Sequence, residues 1–95
     1  MLIIRETFVA KPGMASKLAK LFKDSVGLIS DKSRVRVLTD FVANFNTVVI
    51  ETEVDSMSDY EERMREYMKN KDMGDKMAGY TEMYQTGKRE IWRVW

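Results

Sequence analysis

Apolar residues recur with a period of two in some stretches of this chain and with a helical period in others. Residues 2–10 alternate between two mostly apolar faces, which is typical of a strand covered on both sides. Lys11-Pro12-Gly13 follows, and proline ends the run because it donates no hydrogen bond to a sheet. The pattern predicts a first strand over residues 2–10, in the middle of a sheet.

Two β-rich runs surround an Asn-bearing turn at residues 44–46, which predicts an antiparallel hairpin over residues 35–54. Pairing Phe41 with Ile50 would give this hairpin one nearly uniform apolar face. A slip of one residue would mix the apolar and polar faces, so burial should fix the register. We expect the apolar face to lie under the helices.

Two segments show helical spacing. Apolar side chains over residues 14–29, and methionines and tyrosines over residues 57–71, form stripes opposite charged faces. Ser58 or Asp55 would cap the second helix. An interruption is expected over residues 70–75, followed by a short helical piece over residues 76–84.

A loop at residues 30–33 precedes the hairpin, and a turn at residues 86–88 precedes an alternating last strand over residues 89–95. The order is β-α-β-β-α-β, and right-handed crossovers place both helices on one side of the sheet. The predicted fold class is α+β, a ferredoxin-like βαββαβ sandwich with a four-stranded antiparallel sheet. We expect one domain over residues 1–95.

The other sheet face would stay bare, although it carries apolar residues among its charges: Ile3, Val9, Leu38, Val42 and Val49. A face this apolar predicts a covering partner, and a two-fold homodimer is the commonest arrangement. Two alternatives stay open. The face could be an ordinary solvated one, or it could bind a different protein, in which case the chain alone would be monomeric.

Composition removes several classes of function. With 16 basic and 15 acidic residues, the chain offers little to nucleic acid or an anionic membrane, and we predict neither as a partner. There is no cysteine and no histidine, which excludes disulfides, thiolate metal sites and the commonest general base. The start does not resemble a signal peptide, and no apolar run reaches transmembrane length, so we expect a cytoplasmic protein.

No metal site or cofactor is predicted. Four carboxylates near the hairpin could be considered as metal ligands, namely Asp40, Glu51, Glu53 and Asp55. Arg5 and Arg36 would lie equally close to them, so cross-strand ion pairs are the expected arrangement.

Aromatic and sulfur-bearing side chains are concentrated in the second half of the chain. They could line a cleft between sheet and helices, because methionine adapts to irregular ligands and tyrosine offers a hydroxyl in an apolar wall. Packing of an ordinary core is the alternative. The predicted ligand-binding residues are Phe8, Tyr60, Met64, Tyr80 and Tyr84.

Glu6 lies in the first strand among apolar residues. Partial burial would make its carboxylate a candidate base, whereas an ion pair with Arg89 or Arg93 of the last strand would make it structural. If there is catalysis, the predicted catalytic residues are Glu6, Tyr67 and Trp92, and they must converge on one cavity.

Three short motifs resemble those of the dimeric α+β barrel superfamily, and within it the NIPSNAP-like proteins: Lys11-Pro12-Gly13 before a helix, Asp59-Tyr60-Glu61-Glu62-Arg63 on a helix, and Gly87-Lys88-Arg89-Glu90-Ile91-Trp92-Arg93-Val94 at the end. The resemblance implies a homodimer whose two sheets form a barrel, but it implies no reaction. Related branches include cofactor-free monooxygenases of aromatic polyketides and haem-degrading monooxygenases. The haem branch uses a histidine ligand that this chain lacks.

The resulting hypothesis is a homodimeric α+β barrel protein that binds a small apolar or aromatic ligand between helices and sheet. The alternative is a cofactor-independent monooxygenase or isomerase of an aromatic or polyketide-like substrate. The sequence leaves open whether the chain is an enzyme, and which ligand it takes.

Overall fold

The computed structural model describes residues 1–28 and 34–95, and its elements follow the predicted order. They are β1 (Leu2–Ala10), α1 (Ala15–Val26), β2 (Val35–Thr39), β3 (Thr47–Val54), α2 (Met57–Lys69), α3 (Lys71–Lys76), a 3-10 turn (Tyr80–Glu82) and β4 (Tyr84–Arg93). The predicted loop at residues 30–33, and Ile29 of the predicted first helix, lie outside the described residues. No helix in the described ranges is long and apolar enough to cross a membrane.

The four strands form one antiparallel sheet in the order β2-β3-β1-β4. The first strand has the predicted bounds and the predicted central position. The helices pack on one face, where Leu18 and Phe22 of α1 are buried against Phe8 and Val48 of the sheet. Burial of each such side chain contributes about 1.5–3 kcal/mol. The ferredoxin-like α+β fold predicted from the sequence is therefore confirmed.

The register within the hairpin differs from the predicted one by four residues. Val37 pairs with Ile50, whereas the predicted register paired Phe41 with Ile50. A shift by an even number of residues keeps every side chain on its own face. The part of the predicted apolar face that lies in the strands therefore does lie under the helices, although its residues meet different partners. These residues are Val35, Val37, Val48, Ile50 and Val54.

The hairpin connection is longer than the predicted three-residue turn and spans residues 40–46. Asp40 begins it, and its Oδ1 accepts a hydrogen bond from the Thr47 backbone N–H at 3.0 Å. This side-chain contact closes the loop before the strands can pair further. Phe41 and Val42, predicted to lie within the sheet, are instead in the loop and almost fully exposed.

The helical segments after the hairpin also differ in detail. Ser56 is the N-cap of α2, and its Oγ accepts a hydrogen bond from the Asp59 N–H at 3.1 Å, so the predicted caps Ser58 and Asp55 are wrong. The expected interruption is confined to Asn70, whose Oδ1 accepts a hydrogen bond from the Met73 N–H and begins α3 at once.

The predicted helix over residues 76–84 is reduced to the 3-10 turn. The last strand therefore begins at Tyr84, earlier than predicted, and includes the supposed turn at residues 86–88. Gly87 lies opposite Phe8, where an added Cβ would stand 3.1 Å from the Phe8 ring. A glycine in this strand reflects the close approach of that ring and not a chain reversal.

The face away from the helices, called here the open face, contains alternate residues of each strand: Ile3, Arg5, Thr7 and Val9, Arg36 and Leu38, Val49, Glu51 and Glu53, and Lys88, Glu90 and Trp92. Glu51 is at its centre and is 5% exposed. Arg5 Nε lies 2.7 Å from one of its carboxylate oxygens and Arg36 Nη2 lies 2.6 Å from the other. The expected cross-strand ion pairing is thus concentrated on one carboxylate.

Candidate functional site

A cavity of about 560 Å³ lies between the helices and the helix-covered face of the sheet. The α2 helix has no fully buried residue and lines one side of this cavity. The sheet supplies Glu6, Phe8, Val35, Ile50, Thr52 and Arg89; α1 and its end supply Phe22, Ser25, Val26 and Leu28. The second half of the chain supplies Asp59, Tyr60, Glu62, Arg63, Met64, Glu66, Tyr67, Asn70, Met73, Met77 and Tyr80.

An ion pair forms the polar part of the cavity floor. Glu6 and Arg89 are direct partners on β1 and β4, and Arg89 Nη2 donates a hydrogen bond to Glu6 Oε2 at 3.1 Å. The side chains are 27% and 49% exposed, so the pair is open to water from the cavity. Of the two arrangements that the sequence allowed for Glu6, the structure has the ion pair, and with Arg89 and not Arg93.

Tyr60 contributes a hydroxyl that has no hydrogen-bond partner in residues 1–28 and 34–95. Its oxygen is buried, and its ring centroid lies 6.0 Å from the Arg89 guanidinium carbon. Burial raises the pKa of Tyr60, and the Glu6 carboxylate adds to that effect while the Arg89 charge opposes it. The neutral phenol is therefore favoured, and it can donate or accept a hydrogen bond.

A second phenol, Tyr67, lines the cavity about two helical turns further along α2 than Tyr60. Burial raises the pKa of Tyr67, and interactions with Tyr80 and Glu6 add to the increase. Two neutral phenols and the Glu6–Arg89 ion pair thus share this space with apolar side chains and with further charged residues of α2. Such a site is suited to hold an apolar body and to hydrogen-bond one or two of its polar atoms.

Stacked aromatic rings form the end wall. The Phe8 ring lies 5.1 Å from that of Phe22 and 4.9 Å from that of Tyr84, and Tyr80 lies 6.1 Å from Phe22 and 5.8 Å from Tyr84. Tyr84 stands behind this wall and does not line the cavity. Its predicted contact with ligand stays a prediction, and in the structure it packs against Phe8 and Tyr80, which do line the space.

Six of the eight residues predicted as site residues meet in the cavity, namely Glu6, Phe8, Tyr60, Met64, Tyr67 and Tyr80. Their catalytic or binding roles stay predictions. Trp92 does not join them, because it lies on the open face with the Arg5 guanidinium carbon 6.0 Å from its ring centroid. The predicted convergence of Glu6, Tyr67 and Trp92 is wrong for Trp92.

Sequence reasoning did not include Arg89 among the site residues, although it named Arg89 as a possible partner of Glu6. Because Glu6 was a predicted site residue, a pairing of Glu6 with Arg89 would already have implied that Arg89 lies in the same site. Thr52 and Asn70 were also missed, and nothing in their local sequence distinguishes them.

No three carboxylate side chains in residues 1–28 and 34–95 are grouped as a metal site. Three of the four carboxylates considered from the sequence have other partners. Asp40 holds the hairpin loop, Glu51 binds Arg5 and Arg36, and Asp55 accepts a hydrogen bond from Arg34 at 3.0 Å.

No family model and no curated protein match this chain. Solved structures do. An uncharacterized NIPSNAP domain protein from Burkholderia xenovorans has a TM-score of 0.80 at 15% identity, over 99% of this chain and 94% of that one. A NIPSNAP family protein with unknown function from Agrobacterium tumefaciens has a TM-score of 0.80 at 18% identity. The match covers 97% of this chain and 86% of that one.

An antibiotic biosynthesis monooxygenase is also similar, with a TM-score of 0.68 at 13% identity over 99% of this chain and 98% of that one. At these identities the similarity concerns the fold, and it covers 97% or more of this chain and 86% or more of each of the other three. It agrees with the resemblance that the three sequence motifs indicated. The chain therefore has the fold shared by NIPSNAP domain proteins and antibiotic biosynthesis monooxygenases.

Proposed function

We propose that this chain binds a small apolar or aromatic ligand in the cavity between its helices and its sheet. The observation that carries the proposal is the buried Tyr60 hydroxyl, which has no partner in the described residues. Leaving such a group unsatisfied costs about 1–3 kcal/mol, and a polar atom of a bound ligand would remove that cost.

The dimensions and walls of the cavity support the same proposal. Its volume of about 560 Å³ suits a molecule of drug-like size, and most of its lining is aromatic, aliphatic or thioether. Methionine side chains from α2 and α3 can adjust to the outline of a ligand. Met64 and Met73 are such residues, and both line the cavity.

A cavity-filling variant tests ligand binding. Met64→Trp should fill part of the space and weaken binding of any cavity ligand by at least about tenfold, because the site cannot expand without strain. Met68→Trp is the matched control, since Met68 is 81% exposed on the outer side of the same helix. A panel of small aromatic and aliphatic compounds would be screened by thermal shift and ligand-observed NMR. Equal binding by both variants would reject the cavity as the site.

We further propose that a second copy of the chain covers the open face. Leu38 and Trp92 are 40% and 49% exposed there, and they flank the arginine-bound Glu51. Side chains of this size rarely remain in water on a sheet face without a partner. A two-fold axis would bring each apolar patch onto its own copy.

Oligomeric state is measured by size exclusion with light scattering. Trp92→Lys should convert a dimer to a monomer, whereas Met68→Lys on the outer surface of α2 should leave the dimer intact. A wild-type chain that is monomeric at high concentration would reject the homodimer. It would favour the alternative that this face binds a different protein.

Catalysis is the second candidate, favoured by the meeting of Glu6, Tyr67 and Tyr60 in one cavity. The step common to an isomerase and a cofactor-independent monooxygenase is removal of a proton from an acidic carbon of the ligand. Glu6 would take the proton, and the phenols and Arg89 would stabilise the resulting oxyanion. The ion pair with Arg89 is the feature that weighs against Glu6 as a free base.

Hydrogen–deuterium exchange tests this step without knowledge of the product. A β-diketone ligand that binds should exchange its acidic C–H in heavy water faster with the wild type than with Glu6→Gln. Glu53→Gln, on the open face, is the matched control and should exchange at the wild-type rate. Bound ligand with no catalysed exchange would leave binding as the function.

A further inference from the structure

The charged groups around the cavity are not balanced. Four carboxylates and two guanidinium groups line it among the described residues. Arg89 is paired with Glu6 at 3.1 Å, and Arg63 with Asp59 at 3.4 Å. The two remaining carboxylates belong to α2, and no ion pair joins them to any part of the chain that the structure describes.

These carboxylates, Glu62 and Glu66, stand one helical turn apart at the cavity wall. Like charges at this spacing destabilise a helix by a few tenths of a kcal/mol, so local helix stability does not account for the pair. Both are exposed on the same side of α2, so the edge of the cavity at these two residues, called here its mouth, carries two negative charges.

Inside the mouth, the walls also suit a positive charge. Tyr67 presents an aromatic ring, and the faces of such rings attract cations. A ligand carboxylate, by contrast, would pass Glu62 and Glu66 and would then compete with Glu6 for Arg89. Both cations that line the cavity among the described residues, Arg89 and Arg63, are already paired with carboxylates.

We infer that the cavity selects cationic amphiphiles, molecules with an aromatic or apolar body and one amine, over carboxylates with the same body. The body would occupy the space between sheet and α2, and the ammonium group would lie near Glu62 and Glu66. This inference rests on the proposed function, since it assumes that the cavity binds a ligand.

Three probes with one aromatic body test the selectivity: 2-(1-naphthyl)ethylamine, 2-(1-naphthyl)ethanol and 1-naphthylacetate. Binding is followed by the fluorescence of the naphthalene group and by calorimetry, at low and high salt. The amine should bind about tenfold or more tighter than the carboxylate, with the alcohol between them, as expected for two charges at a partly solvated mouth. Added salt should reduce the difference.

In the double variant E62Q/E66Q, the affinity for the amine should fall close to that for the alcohol. The affinity for the alcohol should stay unchanged. The matched control is E61Q/E82Q, which removes the same charge from two exposed positions outside the cavity and should keep the preference. A carboxylate that binds as tightly as the amine, or a preference that survives E62Q/E66Q, would overturn the inference and leave ligand binding standing. Failure of all three probes to bind would overturn both.

Discussion

Arg89 donates a hydrogen bond to Glu6 at 3.1 Å, from the edge strand of the sheet to its central strand, on the face that the helices cover. The contact fixes the charge of the cavity floor and brings Arg89 beneath the Tyr60 ring. Hydrogen bonding to Glu6 and the charge of that carboxylate outweigh burial and raise the pKa of Arg89, so the guanidinium stays charged.

The titration of Tyr60 should report this arrangement. Arg89 lowers the pKa of Tyr60 and Glu6 raises it, in both cases through charge. Arg89→Met should therefore raise the pKa of Tyr60 further, and Glu6→Gln should lower it. NMR titration of the Tyr60 ring, assigned with Tyr60→Phe, measures both shifts. Arg93→Met, on the same strand, is the control and should leave the pKa of Tyr60 unchanged. An unchanged pKa of Tyr60 in Arg89→Met would contradict the proximity of Arg89 to the Tyr60 ring.

The same ion pair shows which part of the site could have been predicted. A pairing of Glu6 with Arg89 or Arg93 places odd-numbered residues of the last strand on the helix-covered face, because side chains alternate. Trp92 must then lie on the other face, as it does. The ion pair was one of two alternatives for Glu6, and it excludes the predicted position of Trp92 in the same cavity.

The hairpin illustrates what local pattern could not supply. The faces of β3 were predictable because alternation survives an even shift of register. The register itself depended on Asp40, whose side chain closes the loop at Thr47. Phe41 and Val42 look like strand residues in composition, and only the loop contact shows that they are outside the sheet.

Core and loop positions of similar apolarity should respond very differently to truncation. Leu18→Ala should lower the free energy of unfolding by about 2–5 kcal/mol, because Leu18 is fully buried and a cavity would remain. Phe41→Ala should change it by no more than about 0.5 kcal/mol, since Phe41 is fully exposed. Chemical denaturation measures both. A large loss in Phe41→Ala would mean that the loop is covered in solution, for example by a second copy.

Glu51 should make the free energy of unfolding depend on pH in the acidic range. Burial raises the pKa of Glu51, but the hydrogen bonds and charges of Arg36 and Arg5 outweigh it and hold the pKa below its ordinary value of 4.5. The unfolded chain therefore binds a proton more readily, and stabilisation present above pH 4.5 should be lost as the pH falls through the lower folded value. Glu51→Gln should cost about 2 kcal/mol near neutral pH and progressively less in acid.

The measurement is the free energy of unfolding of both proteins across that pH range. Lys88→Met is the control, because it removes a cation from the same face that pairs with Glu90 and not with Glu51. The difference in free energy of unfolding between Lys88→Met and the wild type should not shrink with falling pH as it does for Glu51→Gln. A Glu51→Gln difference that stays constant from neutral to acidic pH would contradict the lowered pKa.

Two glycines should respond in opposite directions to alanine. An alanine Cβ at Gly87 would stand 3.1 and 3.3 Å from two carbons of the Phe8 ring, which Phe22 and Tyr84 hold in place. Gly87→Ala should therefore cost about 1–3 kcal/mol. At Gly74, within α3, nothing lies within 4 Å of the new Cβ, and Gly74→Ala should gain about 0.5–1 kcal/mol from the lower entropy of the unfolded chain.

A double-mutant cycle locates the cause of the loss. Phe8→Leu removes the ring atoms that crowd position 87, so Gly87→Ala should cost less in that background than in the wild type. The coupling has this sign only if the ring of Phe8 covers the edge strand as the structure shows. An equal cost in both backgrounds would assign the effect to the backbone of β4, and the ring contact would then carry none of it.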